Sequence, residues 1–125
     1  MKNLTYGIFV TLGLLMVTTI QSCKKDPSIL KVFVKSAVND ITPNARVVII
    51  ADIQENDSEI EYVDTLYTNE GGFITFDVSD YFSEAGKSVE VANFDIIARK
   101  DGKQGVGYAR VRVRNTAVES VYLEE

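Results

Sequence analysis

The dipeptide Asp101-Gly102, flanked by Lys100 and Lys103, constrains this chain more than any other local feature. Asp-Gly favours a two-residue type I′ turn, whose twist matches that of the strands it joins. Folding the chain about it sets Phe94 opposite Ala109, Ala92 opposite Val111, Glu90 opposite Val113 and Ile96 opposite Gly107. Asp95, Asn93, Tyr108, Arg110 and Arg112 fall on the other face. One register therefore sorts most apolar side chains from polar ones, and a slip of one residue would reverse every side chain. Such a hairpin needs a second layer over its apolar face.

The remaining segments supply that layer. Leu30, Val32 and Val34 alternate with Lys31, Phe33 and Lys35, the period of a half-buried strand. Asn39–Asn44 is turn chemistry, and Ala45–Ile53 follows. Its consecutive Val47, Val48, Ile49 and Ile50 read as a strand covered on both faces. Ile60–Thr68 and Phe73–Val78 are strands on either side of the turn Thr68–Gly72. Ser79–Ser88 reads as a loop or one helical turn, and Ala117–Leu123 as a terminal strand. Seven strands with short turns predict an all-β fold: a seven-stranded antiparallel β-sandwich, transthyretin-like or Ig-like, over residues 29–125.

Three stretches resemble a known family. They are Asp40 with Ala45-Arg46-Val47, then Thr68-Asn69-Glu70-Gly71-Gly72-Phe73-Ile74-Thr75-Phe76, then Phe94 with Lys100-Asp101-Gly102. Together they resemble the carboxypeptidase regulatory-like, transthyretin-like (prealbumin-like) β-sandwich. The chain departs from that pattern at Asn69, where Asp is usual, and at Ile41, where Gly often precedes the Pro. The resemblance implies a domain that is mostly non-catalytic and appended to enzymes and outer-membrane receptors. It carries over no catalytic residue.

The N-terminus has a different character. Lys2 is followed by no charge until Lys24, and Tyr6–Ile20 is strongly apolar. A basic start with an apolar run of this kind reads as a secretory signal peptide. Ser22-Cys23 at its end resembles the lipobox of bacterial lipoproteins, with Gln21 where a small residue is usual. The resemblance implies cleavage after residue 22, lipid (palmitate among the acyl chains) on Cys23, and a tether over residues 23–28. A transmembrane anchor and a plain secretory signal are the competing readings. The polar Thr18, Thr19, Gln21 and Ser22 leave the apolar core short for a span. A lone Cys in an exported chain is otherwise an odd, oxidisable thiol. The expected location is a cell membrane, the outer membrane of a Gram-negative bacterium, facing the periplasm or the surface. The partner expectations are the membrane, through the lipid on Cys23, and an envelope protein.

The chain has no His and one Cys, which removes zinc sites, Cys–His nucleophiles and Ser–His–Asp triads from consideration. Its net charge of −5 argues against nucleic acid. No enzyme activity and no cofactor are expected. Asp52, Glu55, Asp57, Glu59 and Glu61 crowd one loop. A solvated acidic loop is the default, with Asp52, Glu55 and Asp57 as calcium candidates that lack an Asp-x-Asp-x-Asp-Gly pattern. Arg110, Arg112 and Arg114 fall on one strand face; they suit an acidic partner or cross-strand pairing with acids such as Asp95. Tyr62, Tyr67, Tyr81, Tyr108 and Tyr122 suit either a glycan-stacking platform or the wet rim of a sandwich. The function expected is that of a non-catalytic interaction or assembly module, the alternative being a small-ligand or glycan-binding lipoprotein that uses loops and tyrosines at one end.

Overall fold

Asp101 and Gly102 take φ of 50° and 77°, as the two-residue turn requires. Around them β5 (Val91–Lys100) and β6 (Lys103–Arg112) pair in the register predicted from sequence, Phe94 with Ala109 and Ile96 with Gly107. The computed structural model describes residues 25–56 and 58–125. The expected signal peptide, Cys23 and Asp57 lie outside the described residues.

The other elements are β1 (Ile29–Lys35), β2 (Arg46–Ala51), α1 (Ile53–Asn56), β3 (Tyr62–Tyr67), β4 (Phe73–Asp77), α2 (Ser79–Ala85) and β7 (Thr116–Tyr122). They form an all-β sandwich of two sheets, ordered β4-β1-β7 and β3-β2-β5-β6. One pair departs from the antiparallel expectation: β1 and β7 run parallel, Ile29 against Thr116 and Lys35 against Tyr122. Period-2 alternation says which face a residue takes and nothing about strand direction, so this pairing has no signature in the sequence.

The core lies between the sheets. Leu30, Val32 and Val34 of β1 meet Val47, Ile49 and Ala51 of β2 and Ala92, Phe94, Ile96 and Ala98 of β5, all fully buried. Loss of a side chain such as Phe94 to Ala would cost about 3–5 kcal/mol. The structure corrects the expectation for β2. Its residues alternate, with Val47, Ile49 and Ala51 buried and Val48 and Ile50 only half-buried on the outer face. Four consecutive apolar residues reflect here an outer face that is itself apolar, not a third layer.

Ser79–Ala85 is a short helix that closes one end of the sandwich with Tyr81 and Phe82. Tyr81 is fully buried, edge-on to Tyr62, Phe82 and Phe94 at centroid distances of 5.9, 5.6 and 5.7 Å. Its hydroxyl has no hydrogen-bond partner among the described residues.

The Thr68–Phe73 turn is built by two side chains. Asn44 at φ 54° and Ala45 together face Thr68, a bulge in which Asn44 N and Ala45 O bond Thr68 O and N. The nearly buried Thr68 hydroxyl accepts from Ala45 N at 2.8 Å and donates to Thr42 O at 2.7 Å. Asn69 Oδ1 then accepts from Gly71 N at 2.9 Å and Phe73 N at 3.3 Å. A carboxylate oxygen would serve these donors equally well.

Candidate functional site

The four-stranded sheet presents its outer face to solvent, and the register orders that face into rows. Tyr67, Arg46, Arg99 and Gln104 form one row, and Thr65, Val48, Ile97 and Val106 the next. Val63, Ile50, Asp95 and Tyr108 form the third, followed by Asn93 with Arg110 and Val91 with Arg112. Val106 is 69% exposed, Val63 57%, Tyr67 56% and Tyr108 50%. The exposed apolar side chains thus stand on the two edge strands, β3 and β6, with half-buried Val48, Ile50 and Ile97 between them and arginines at both ends of the rows.

Arg46 and Arg99 are direct cross-strand neighbours. With Val48 and Ile97 they line a hollow of about 90 Å3. Like charges opposite each other on adjacent strands repel. Arg99 Nε donates to Gln104 Oε1 at 2.9 Å, which orients its guanidinium. Neither arginine has a carboxylate partner, since the one ion pair among the described residues is Lys103–Glu125 at 3.6 Å.

The structure divides the arginines grouped from sequence. Arg110 and Arg112 lie on this outer face, opposite Asn93 and Val91. Arg114 does not: β6 ends at Arg112, and Arg114 occupies the β6–β7 turn at φ 60°. The strand stops there because the chain must reverse to enter β7. Asp95 pairs in register with Tyr108 and makes no ion pair with these arginines.

The opposite sheet treats its outer apolar groups differently. Phe33 and Phe73 pack tilted at 49° with centroids 5.4 Å apart, half-buried, with Lys31 Nζ 4.2 Å from the Phe73 ring centroid and 4.9 Å from that of Phe33. Its own lysine covers that aromatic pair.

In the acidic loop, Asp52 Oδ1 accepts from Gln54 N at 2.8 Å and starts α1. Asn56 closes the loop on β5: its Oδ1 accepts from Asn93 N and its Nδ2 donates to Asn93 O at 3.0 Å. A side-chain amide thus continues the ladder where β2 has ended. Glu55 is exposed; slight desolvation and the carboxylates of Asp95 and Asp52 push its pKa up. Among the described residues no three potential ligands gather as for a metal ion.

The five tyrosines do not assemble into one platform. Tyr81 is core, Tyr62 packs against it half-buried, Tyr67 and Tyr108 are on the outer face of the four-stranded sheet, and Tyr122 is 48% exposed at the end of β7. An open groove of about 790 Å3 does lie at the end where the chain enters. Phe82, Val89, Val113, Lys87, Glu90 and Arg114 line it with residues Lys25–Ser28. Ser28, at the end of the expected tether, is buried in the folded body. Its hydroxyl accepts from Arg114 N at 2.7 Å, its N donates to Ser79 Oγ at 3.0 Å, and its carbonyl accepts from Val78 N at 2.9 Å.

Arg46, named above only for the family resemblance, is not among the sequence-predicted site residues, nor are Arg99, Val63 and Val106. The available signal was apolar residues at polar-face positions of several strands, visible as a patch only once all four strands are paired. Among the described residues no helix is long and apolar enough to cross a membrane. No known family model matches the chain, and no curated protein sequence is significantly similar to it.

Proposed function

We propose that this protein is a lipid-anchored β-sandwich of a Gram-negative cell envelope, working as a non-catalytic interaction or assembly module. The observation that carries the reading is the outer face of the four-stranded sheet, where Val106, Val63 and Tyr108 stand half or more exposed. A contiguous apolar surface rimmed by charge is the anatomy of a protein-docking site.

The anchor rests on Ser22-Cys23 after the apolar run. With Ser28 held in the body, only Lys24–Pro27 separate Cys23 from the fold. A tether of that length keeps the sandwich against the bilayer, and two or three acyl chains hold it there without help from a basic surface. In family terms the domain is of the carboxypeptidase regulatory-like kind. The two-sheet sandwich supports this, as does Asn69, which fills the turn role of the usual Asp through the same side-chain oxygen.

Cross-linking of intact envelopes, followed by capture of the tagged full chain, tests the reading. A defined membrane-protein partner recovered with the wild type is the expected result; recovery of the chain alone at every linker length would overturn it. The second reading, a small-ligand or glycan-binding lipoprotein, is favoured by the groove at the tether end. Envelope glycan fragments bound there would shift the NMR signals of Val89 and Val113 and leave Val106 unmoved.

A further inference from the structure

The two sheets of the sandwich differ in what they do with outward apolar groups. On the three-stranded sheet Lys31 lies over Phe33 and Phe73. On the four-stranded sheet Val106, Val63 and Tyr108 have no such cover and stand 69%, 57% and 50% exposed. The charge on that face is also out of keeping with the chain. It holds Arg46, Arg99, Arg110 and Arg112 against the carboxylate of Asp95, with Glu55 and Asp52 of the neighbouring loop close by. The chain as a whole has 13 basic and 18 acidic residues. Arg46 and Arg99 are the sharpest departure: two guanidinium-bearing side chains in register on neighbouring strands, with a hollow of about 90 Å3 among them, Val48 and Ile97. Their repulsion weakens the isolated sheet. A carboxylate between them would convert that repulsion into two charge-assisted contacts, and the planar fork of Arg suits a carboxylate.

We propose that this face docks a partner protein whose surface places an Asp or Glu carboxylate between Arg46 and Arg99 and apolar groups over Ile97 and Val106. This deepens, and rests on, the interaction-module reading. Charge complementarity selects the occupant. A second copy of the chain would bring two net-positive faces together, whereas an acidic partner is drawn to the face and oriented by it. The apolar middle supplies contact area, and the arginines supply register and selectivity.

Site-specific photo-crosslinking in living cells tests the proposal, with p-benzoylphenylalanine replacing Val106 in the full-length protein. The expected result is one discrete protein adduct from Val106, and none from the same probe at Val118 on the other sheet. The adduct should fall at least about tenfold in Arg46→Gln/Arg99→Gln, the scale of one lost charge-assisted contact. Its cross-linked partner peptide should lie beside Asp or Glu. Loss of the like-charge pair should leave the melting temperature of the full chain in detergent unchanged or higher, so that weaker docking is not misfolding. The single change Arg46→Gln, at a side chain with no hydrogen bond among the described residues, should give the same direction of effect if the double variant folds poorly. An adduct unaffected by the arginine changes, an adduct of two copies of the chain, or a lipid adduct in place of a protein would each overturn the proposal. Adducts from Val118 alone would overturn this face and leave the interaction-module reading standing. Adducts from neither position would overturn both.

Discussion

The backbone carbonyl of Tyr122 occupies the space that a Cβ on Gly105 would need. Here the two sheets close on each other at one corner, where Glu124 N donates to Gln104 O at 3.0 Å. Gly105 and Gly107 lie on the inner side of β6 because β7 presses directly on its backbone. Gly105→Ala should therefore destabilise the fold by about 1–3 kcal/mol, the usual scale of overpacking. A Cβ on Gly107 would meet Val121 Cγ2 at 2.7 Å, a side chain that can be trimmed. Gly107→Ala should be partly rescued by Val121→Ala in a double-mutant cycle, while Gly105→Ala should not. Equal rescue at both positions in urea denaturation would contradict this corner.

Gly102 presents the opposite case, since nothing lies within 4 Å of the position its Cβ would take. Its φ of 77° alone opposes substitution. Gly102→Val should cost about 1–3 kcal/mol through backbone strain, and Gly102→Asn markedly less, because Asn tolerates this region. A urea midpoint unchanged in Gly102→Val would place the turn elsewhere.

How much of this was legible follows from what each pattern encodes. The β5–β6 register was readable because a turn dipeptide and two sorted faces agreed on it. The existence of β1, β3, β4 and β7 was readable from apolar alternation. The parallel β1–β7 pair was not, because alternation carries no direction. The apolar run of β2 points to two covered faces; Val48 and Ile50 instead lie half-buried on the outer face. Gly105 and Gly107 held a readable hint, since glycines on one strand face mark close approach of another backbone. Strand period continued past Arg112 puts Arg114 on the same face as Arg110, but the chain turns before it.

Tyr81 buries its hydroxyl with no partner among the described residues. Removing a buried polar group that makes no hydrogen bond relieves its desolvation cost. Tyr81→Phe should therefore leave stability unchanged or raise it by about 1 kcal/mol. A loss of stability in thermal denaturation would show that the hydroxyl is satisfied by a partner.

Tyr62 carries a pKa raised above 10.0, by burial first and then by Asp64, Asp80 and Asp77. A raised folded-state pKa leaves stability intact below the unfolded value and removes it as pH rises through the folded one. The wild type should thus lose stability above about pH 10, and Tyr62→Phe should lose less over the same window. Lysine deprotonation affects both proteins alike, so the difference between them isolates Tyr62. Parallel stability profiles between pH 9 and 11.5 would contradict the assignment.

The proposed lipid at Cys23 would put a folded module against a membrane. Metabolic labelling with a clickable fatty acid, followed by gel fluorescence of the purified chain, tests it directly. The expected result is strong label on the wild type and none on Cys23→Ser, which should accumulate as an unprocessed precursor. Equal label on both proteins, or no label on the wild type, would contradict the account.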